Sequence, residues 1–502
     1  MTAFISPRKN IDSLIAAIAG FFIIMLFTQY GGIGISPDSI VYTSAAKTFA
    51  TKGKLLVFGA MPLVDFPVMY PLFLSFIKWI TRQDLVEAGR YINGALFAIL
   101  VYLCGCIMES KPQWRSWYKW AILSCIIISP SLMDVYTMMW SETLFIILSI
   151  VFFILFKKYT YRRDVRSLCI VALCASIASI TRYAGVTLIG TGGLLLLLDN
   201  KLTWKKRFIH CVIFGSISIS LLVVNLIRNA LITGTLTGDR EKGVTPFFTN
   251  VGHYGKVMCE WLSFMPENVK AATIIGTITL VLLVAAFVLQ AFRQTRFSSY
   301  QNIIGAFGMV YVLFIVVTAT LSRYETINNR FIAPAYIPLL WTATGWLPAF
   351  RDSLVTRVAK WATVPVLLIF LWFQHNQYTQ TKIMYSETVG YGIPGYTDAS
   401  WHNSEIASFL RKNKAIFRQD MEIYSNANDA FYFVSGLPAE SVPHTVDPEY
   451  VQEFIANEPY YIVWFSSIND GDLLTLDFIK ARRKLTPIQT FKDGIIFLSE
   501  RK

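Results

Sequence analysis

Seven charged residues are candidates for chemistry: Asp38, Asp134, Glu142, Arg182 and Arg330, which stand near the ends of long apolar runs where charge is expensive, and Asp65 and Arg240 in the loops between runs. A carboxylate in such a place is a candidate general base, and a guanidinium fork is a candidate holder of an oxyanion. Asp38 follows the first apolar run in Ile35-Ser36-Pro37-Asp38-Ser39, and partial desolvation there raises an aspartate from about 3.9 toward a useful proton affinity. The competing reading is that Asp38 caps a helix starting at Ser39. Glu142 opens the fourth run, where the helix dipole alone favours an acid. Arg330 opens the tenth, where that dipole disfavours a cation, so an anion must offset it. Arg182 lies in a tight turn between the fifth and sixth runs, and its competing reading, like that of Arg330, is snorkelling to lipid headgroups.

The elements that must position these groups are membrane helices. Hydrophobic residues make up 54% of the 502 and charged residues only 15%, against about a quarter charged in a soluble chain. Apolar runs near 13–30, 89–108, 120–133, 142–156, 167–180, 184–198, 208–227, 271–292, 301–321, 331–346 and 361–373 predict about 11 spans. Loops with Arg8 and Lys9, Lys111, Arg115 and Lys119, Lys157 to Arg166, Lys201 to Arg207, Arg293 and Arg296, and Arg351 to Lys360 alternate with loops poor in Lys and Arg. The positive-inside rule makes the basic set cytoplasmic. Asp38, the loop 131–141, the turn at Arg182, a long loop 228–270 and the short loop 322–330 then face outward.

The first run reads as a retained signal anchor, because no small-residue cleavage site follows it. Segments 39–50 and 69–80 read as helices along the outer surface within 31–88. The expected organisation is a polytopic α-helical membrane domain, 1–374, and a small extracytoplasmic α/β domain, 375–502. In that tail, 400–412, 428–434 and 472–481 read as helices and 421–424 and 460–466 as strands. Segments 485–491 and 495–499 flank an Asp493-Gly494 hairpin turn. The tail holds 12 Lys plus Arg against 16 Asp plus Glu, so the net charge of +13 belongs to the membrane part and reflects topology, not nucleic-acid binding. Six of the seven cysteines fall in or beside apolar runs, and no CxxC metal site or disulfide framework is evident.

Several pieces in order resemble one family: PDSIVY after the first run, FPVMYPLFLSF, WSETLF, TRYAG, RNALITGTLTGDR, NNRFIAPAYIPLL and, in the tail, IYSNANDAFYFVSGLPA. Together they resemble the GT-C membrane glycosyltransferases, closest to the bacterial group similar to protein O-mannosyltransferases and lipid A aminoarabinose transferases. The resemblance covers essentially the whole chain. It departs from that pattern where Val68-Met69 replaces prolines and where a single Asp, without an adjacent Glu, follows Pro37.

The resemblance implies an inverting transfer of a monosaccharide from a polyprenyl-phosphate donor to a lipid, glycan or protein acceptor, at the outer face of a bacterial inner membrane. Such chemistry needs a base, charge stabilisation on the leaving phosphate and exclusion of water. Asp38 is then the base, and Glu142 orients the acceptor or holds a divalent cation. Arg330, Arg182 and Arg240 hold the donor phosphate, and Asp134 and Asp65 are further acceptor or metal candidates. For Arg240, and for Asp239, His253 and Tyr254 in the same stretch, a plain surface loop is the equal alternative. Trp140, Tyr183 and Tyr324 read as interfacial aromatics or sugar platforms. Competing functions are a polysaccharide polymerase or lipid-linked-glycan ligase, a secondary transporter and a scaffold. The acids gather at one face and the run interiors are nearly free of charge, which argues against a transporter.

Overall fold

The computed structural model describes residues 10–109, 116–238, 240, 242–264, 268–292, 297–323, 325–345 and 357–502. Arg8, Lys9, Lys111, Arg115, Asp239, Arg293, Arg296, Tyr324 and Arg351 lie outside the described residues, as do the side chains of Arg357 and Lys360. The chain divides into two compact units. One comprises Met1–Gln29, Val64–Tyr70 and Ala88–Glu387, the other Tyr30–Leu63, Pro71–Glu87 and Thr388–Lys502. The expected boundary at 375 falls inside one continuous helix, Arg357–Tyr391. The segments around Asp38 belong with the tail, not with the long apolar helices.

In the first unit the apolar runs are largely helical among the described residues, and the expected count of about 11 spans is not confirmed. Five helices among the described residues are long and apolar enough to cross a membrane: Leu85–Glu109, Glu142–Arg162, Trp204–Thr233, Val269–Phe292 and Tyr300–Leu321. Ser116–Ile127 and Pro130–Tyr136 make a sixth if their pair, bent by 52°, is one span. Ser129 caps the second half of that pair and Pro130 occupies its first turn, which accounts for the break. Ile11–Phe27 and Val165–Thr181 stop at 17 residues each. Asn329–Thr344 has 16, with Pro334 and Pro338 inside it.

The long loop expected over 228–270 is largely helical. Trp204–Thr233 runs past Arg228, and Phe247–Trp261 carries His253 and a fully buried Tyr254. Lys119, expected in a solvated basic loop, is 2% exposed and held by Asp12 at 2.8 Å and Glu109 at 2.7 Å.

In the second unit the helix Pro37–Lys52 starts with Pro37 in its first turn, and Ser36 is its N-cap. Ser36 and Ser39 form a reciprocal capping box, each side chain accepting from the other's backbone N–H. Asp38 is therefore not the cap. The tail folds around a five-stranded sheet of β3 (Ile423–Ser425), β4 (Glu440–Ser441), β5 (Tyr460–Phe465), β6 (Arg483–Phe491) and β7 (Gly494–Arg501), in the order β4-β3-β5-β7-β6. A short hairpin, β1 (Leu56–Val57) with β2 (Met61–Pro62), precedes them in the chain. β3 pairs parallel with β4 and β5, while β7 pairs antiparallel with β5 and with β6 through the Asp493-Gly494 turn.

Helices cover both faces of the sheet, so the central β5 reads as the unbroken apolar run Tyr-Tyr-Ile-Val-Trp-Phe. Tyr461, Val463 and Phe465 enter one core with Phe431 and Leu410. Tyr460 and Ile462 enter the other with Phe454 and Ile479. Helix Pro448–Ala456 and strand β4 have no counterpart in the sequence reading.

Helices Phe247–Trp261 and Val269–Phe292 meet through paired glycines. A Cβ on Gly255 would lie 1.8 Å from the Ala272 carbonyl oxygen, and one on Gly276 would lie 2.4 Å from that of Val251. Gly255→Ala is expected to destabilise the protein by about 1–3 kcal/mol through overpacking. Gly215→Ala, with nothing within 4 Å, is expected to change stability favourably or not at all, by no more than about 1 kcal/mol. Thermal unfolding of the detergent-solubilised variants measures both, and equal effects would refute the close-packing account.

A candidate anion site built on a buried Arg-Glu-Arg set

In the first unit the chain brings Glu142, Arg182 and Arg330 to one point. Glu142 occupies the first turn of Glu142–Arg162 and is completely buried. Its Oε1 accepts from Nε of Arg330 at 2.6 Å, and its Oε2 faces Nη1 of Arg182 at 2.6 Å. The arginine side chains are 12% and 14% exposed. Arg182 is placed by the end of helix Val165–Thr181, where the backbone turns extended and a cation suits the dipole. It also donates to Ser141 Oγ at 3.1 Å. Arg330 is placed by helix Asn329–Thr344, whose N-cap Asn328 accepts from Phe331 N–H.

The anion that offsets Arg330 inside the protein is thus Glu142, 188 positions earlier in the chain. Trp140, read as an interfacial or sugar-stacking ring, instead lies under the guanidinium of Arg330, 4.0 Å from its centroid. Asn329 extends the set: its amide donates to Asp134 Oδ2 at 3.3 Å, and its oxygen accepts from Trp261 Nε1 at 2.7 Å. Neither Asn329 nor the platform role of Trp140 is legible from charge placement. The only signal for Asn329 is an Asn-Asn pair just before a helix, which suggests a cap.

Asp65 and Arg240 meet elsewhere in the unit. Arg240 Nη2 donates to the Asp65 carbonyl oxygen at 3.1 Å. The preceding Val64 carbonyl accepts from Asn229 Nδ2 at 3.1 Å and, more distantly, from Tyr183. Gly238, at φ +71, leaves room for the Asp65 carboxylate, since a Cβ there would lie 1.7 Å from Oδ1. Asp38 belongs to the second unit and has its own neighbours. Among the described residues no three His, Cys, Asp or Glu side chains are grouped to hold a metal ion.

Two guanidiniums carry ten N–H donors between them, and a carboxylate offers about four lone-pair sites. The set is therefore rich in donors as well as buried, at the starts of two helices whose dipoles favour negative charge. It can receive an oxyanion, and Glu142 fixes where the two forks stand.

Glu142→Ala leaves two largely but not fully buried cations without their shared partner and is expected to cost about 3–5 kcal/mol at most. Replacing the whole set with Glu142→Leu/Arg182→Met/Arg330→Met is expected to recover most of that loss. Thermal unfolding of both variants decides it, and a triple variant no more stable than Glu142→Ala would refute the burial argument.

No family model matches the sequence, and no curated protein matches it. Solved structures do. ArnT from Cupriavidus metallidurans in the apo state superposes with a TM-score of 0.57 at 10% identity, over 95% of this chain and 96% of that one. The same protein bound to undecaprenyl phosphate gives 0.57 at 10% identity, over 98% of both chains. The archaeal oligosaccharyltransferase AglB from Archaeoglobus fulgidus, in complex with an inhibitory peptide and a dolichol-phosphate, gives 0.54 at 11% identity, over 92% of this chain and 70% of that one. At such identities the likeness is one of architecture, and it extends over nearly the full length: the chain has the fold of the GT-C glycosyltransferases that its motifs resemble.

Proposed function

We propose that this protein is a multi-pass glycosyltransferase of a bacterial inner membrane, with its amino terminus cytoplasmic and its tail domain outside. It moves a monosaccharide, with inversion, from a polyprenyl-phosphate donor to a lipid, glycan or protein acceptor. The observation that carries the reading is the buried Arg182–Glu142–Arg330 set, in a fold shared with a protein solved with undecaprenyl phosphate.

The acceptor oxygen attacks C1 of the donor sugar, the C1–O bond to phosphate breaks, and polyprenyl phosphate leaves with the bonding pair. Asp38 takes the acceptor proton. Arg330 and Arg182 stabilise the charge that grows on the departing phosphate, with Glu142 setting their separation. Arg240, Asp65 and Asp134 have roles in donor or acceptor binding. Support for Asp38 as base is its place in the motif after the first helix, together with the finding that Ser36, not Asp38, caps the helix.

The test is transfer from radiolabelled polyprenyl-phosphate monosaccharides by purified protein in lipid vesicles. Asp38→Asn is expected to lower kcat by about 10²–10⁴-fold, and Arg330→Lys, which keeps charge but loses the fork, to raise donor KM. EDTA in the same assay reads whether Glu142 or Asp134 also serves a divalent ion. Full activity in Asp38→Asn would remove Asp38 as the base. No transfer from any donor would move the assignment to a polymerase or ligase that uses longer lipid-linked glycans.

A further inference from the structure

The carboxylate assigned above as the base is held by the tail. Residues 392–398, which lead from helix Arg357–Tyr391 into the tail sheet, run against residues 31–35, just before Asp38. The Tyr396 backbone N–H donates to the Ile35 carbonyl at 2.8 Å, and Thr397 Oγ1 donates to that of Ile33 at 2.8 Å in a buried bond. Gly395, at φ +124, is required by this approach, since a Cβ there would lie 2.3 Å from the Ile35 oxygen. The next residue, Ser36, closes the capping box that fixes the first turn containing Asp38.

The strap has its own anchor. Tyr396 Oη donates to Asp429 Oδ2 at 2.7 Å, and its ring packs edge-on against Trp401 with centroids 4.7 Å apart. Asp429 lies in the first turn of helix Asn428–Ser435, which packs against helix Pro37–Lys52 and carries Tyr432 against Phe58 at 5.2 Å. Burial pushes the Asp429 carboxyl above its usual range, the Tyr396 hydroxyl opposes this, and the charge of Asp38 adds to the rise. Asp429 is thus close enough to feel Asp38, and it ties down the residue that ties down Ile35.

We propose that Tyr396 and Asp429 are positioning residues for Asp38: the bond between them sets the strap 392–398, and the strap sets the carboxylate that takes the acceptor proton. The inference rests on the reading of Asp38 as the base. It makes the tail domain part of the catalytic apparatus.

Two readouts on the full-length protein in vesicles test it. Hydrogen exchange needs no donor: Tyr396→Phe is expected to speed exchange of amides within 33–42 by at least about tenfold. In the transfer assay Tyr396→Phe is expected to lower kcat by about 10- to 100-fold with KM unchanged, and Tyr396→Phe/Asp38→Asn to be no slower than Asp38→Asn alone. Asp429→Asn keeps an acceptor for the tyrosine and is expected to stay within about threefold of wild type, whereas Asp429→Ala behaves like Tyr396→Phe. Unchanged exchange, unchanged kcat, or an equal loss in the Asp38→Asn background would overturn the positioning role while leaving Asp38 as the base. An Asp38→Asn enzyme as fast as wild type would overturn the base assignment and this inference with it.

Discussion

A buried carboxylate shared by two arginines is the constraint on which the first unit depends. Taking three charges out of water costs several kcal/mol per ion, and that cost is offset only if helices Glu142–Arg162, Val165–Thr181 and Asn329–Thr344 meet with their ends in register. The set therefore specifies an arrangement more than it adds stability. A one-residue shift in any of the three helices would swing a charged head by about 100° and strand it in an apolar interior. Residues far apart in sequence are bound to one another by electrostatics that apolar packing alone cannot impose.

This also explains what could be read from the sequence. Charge placement singled out Glu142, Arg182 and Arg330 because each is improbable where it stands, and an anion opposite Arg330 follows from the helix dipole. That the anion is Glu142 does not follow, because nothing local to either residue encodes a pairing across 188 positions. Trp140 was visible only as an aromatic near a helix start, and its use as a ring beneath Arg330 depends on the same long-range meeting. The helical runs were legible from hydropathy. Their lengths were not, because capping and proline decide where a helix stops, as at Ser129-Pro130 and within Asn329–Thr344. The Asp493-Gly494 hairpin and β5 are legible in the sequence, since turn chemistry and a fully covered strand leave local marks. Strand β4 has only two residues and leaves none.

In the second unit the order of the chain is misleading. Residues 30–63 come before most of the apolar helices, and residues 388–502 come after all of them, yet they form one compact body. Beside the packing of Phe58 on Tyr432, the contacts that join them are hydrogen bonds to backbone carbonyls and a glycine approach, at Ile33, Ile35, Gly395 and Thr397. Such contacts carry almost no side-chain signature, which is why 31–88 read as a surface appendage of the membrane part. The capping box at Ser36 and Ser39 was equally hidden, because serine at the third helical position is an unusual partner in that motif.

The tail sheet ends, at both sides, in strands that resist company. On one side β4 offers only Glu440 and Ser441. On the other, β6 is long, but it contains Pro487, which has no N–H to offer, and a bulge at Ile488 that interrupts the ladder. Proteins confined to a bilayer meet their own copies at high local density, and an open sheet edge under those conditions invites intermolecular strand addition. A sheet with one stub and one interrupted edge gives such a neighbour little to extend, which works against strand addition between copies.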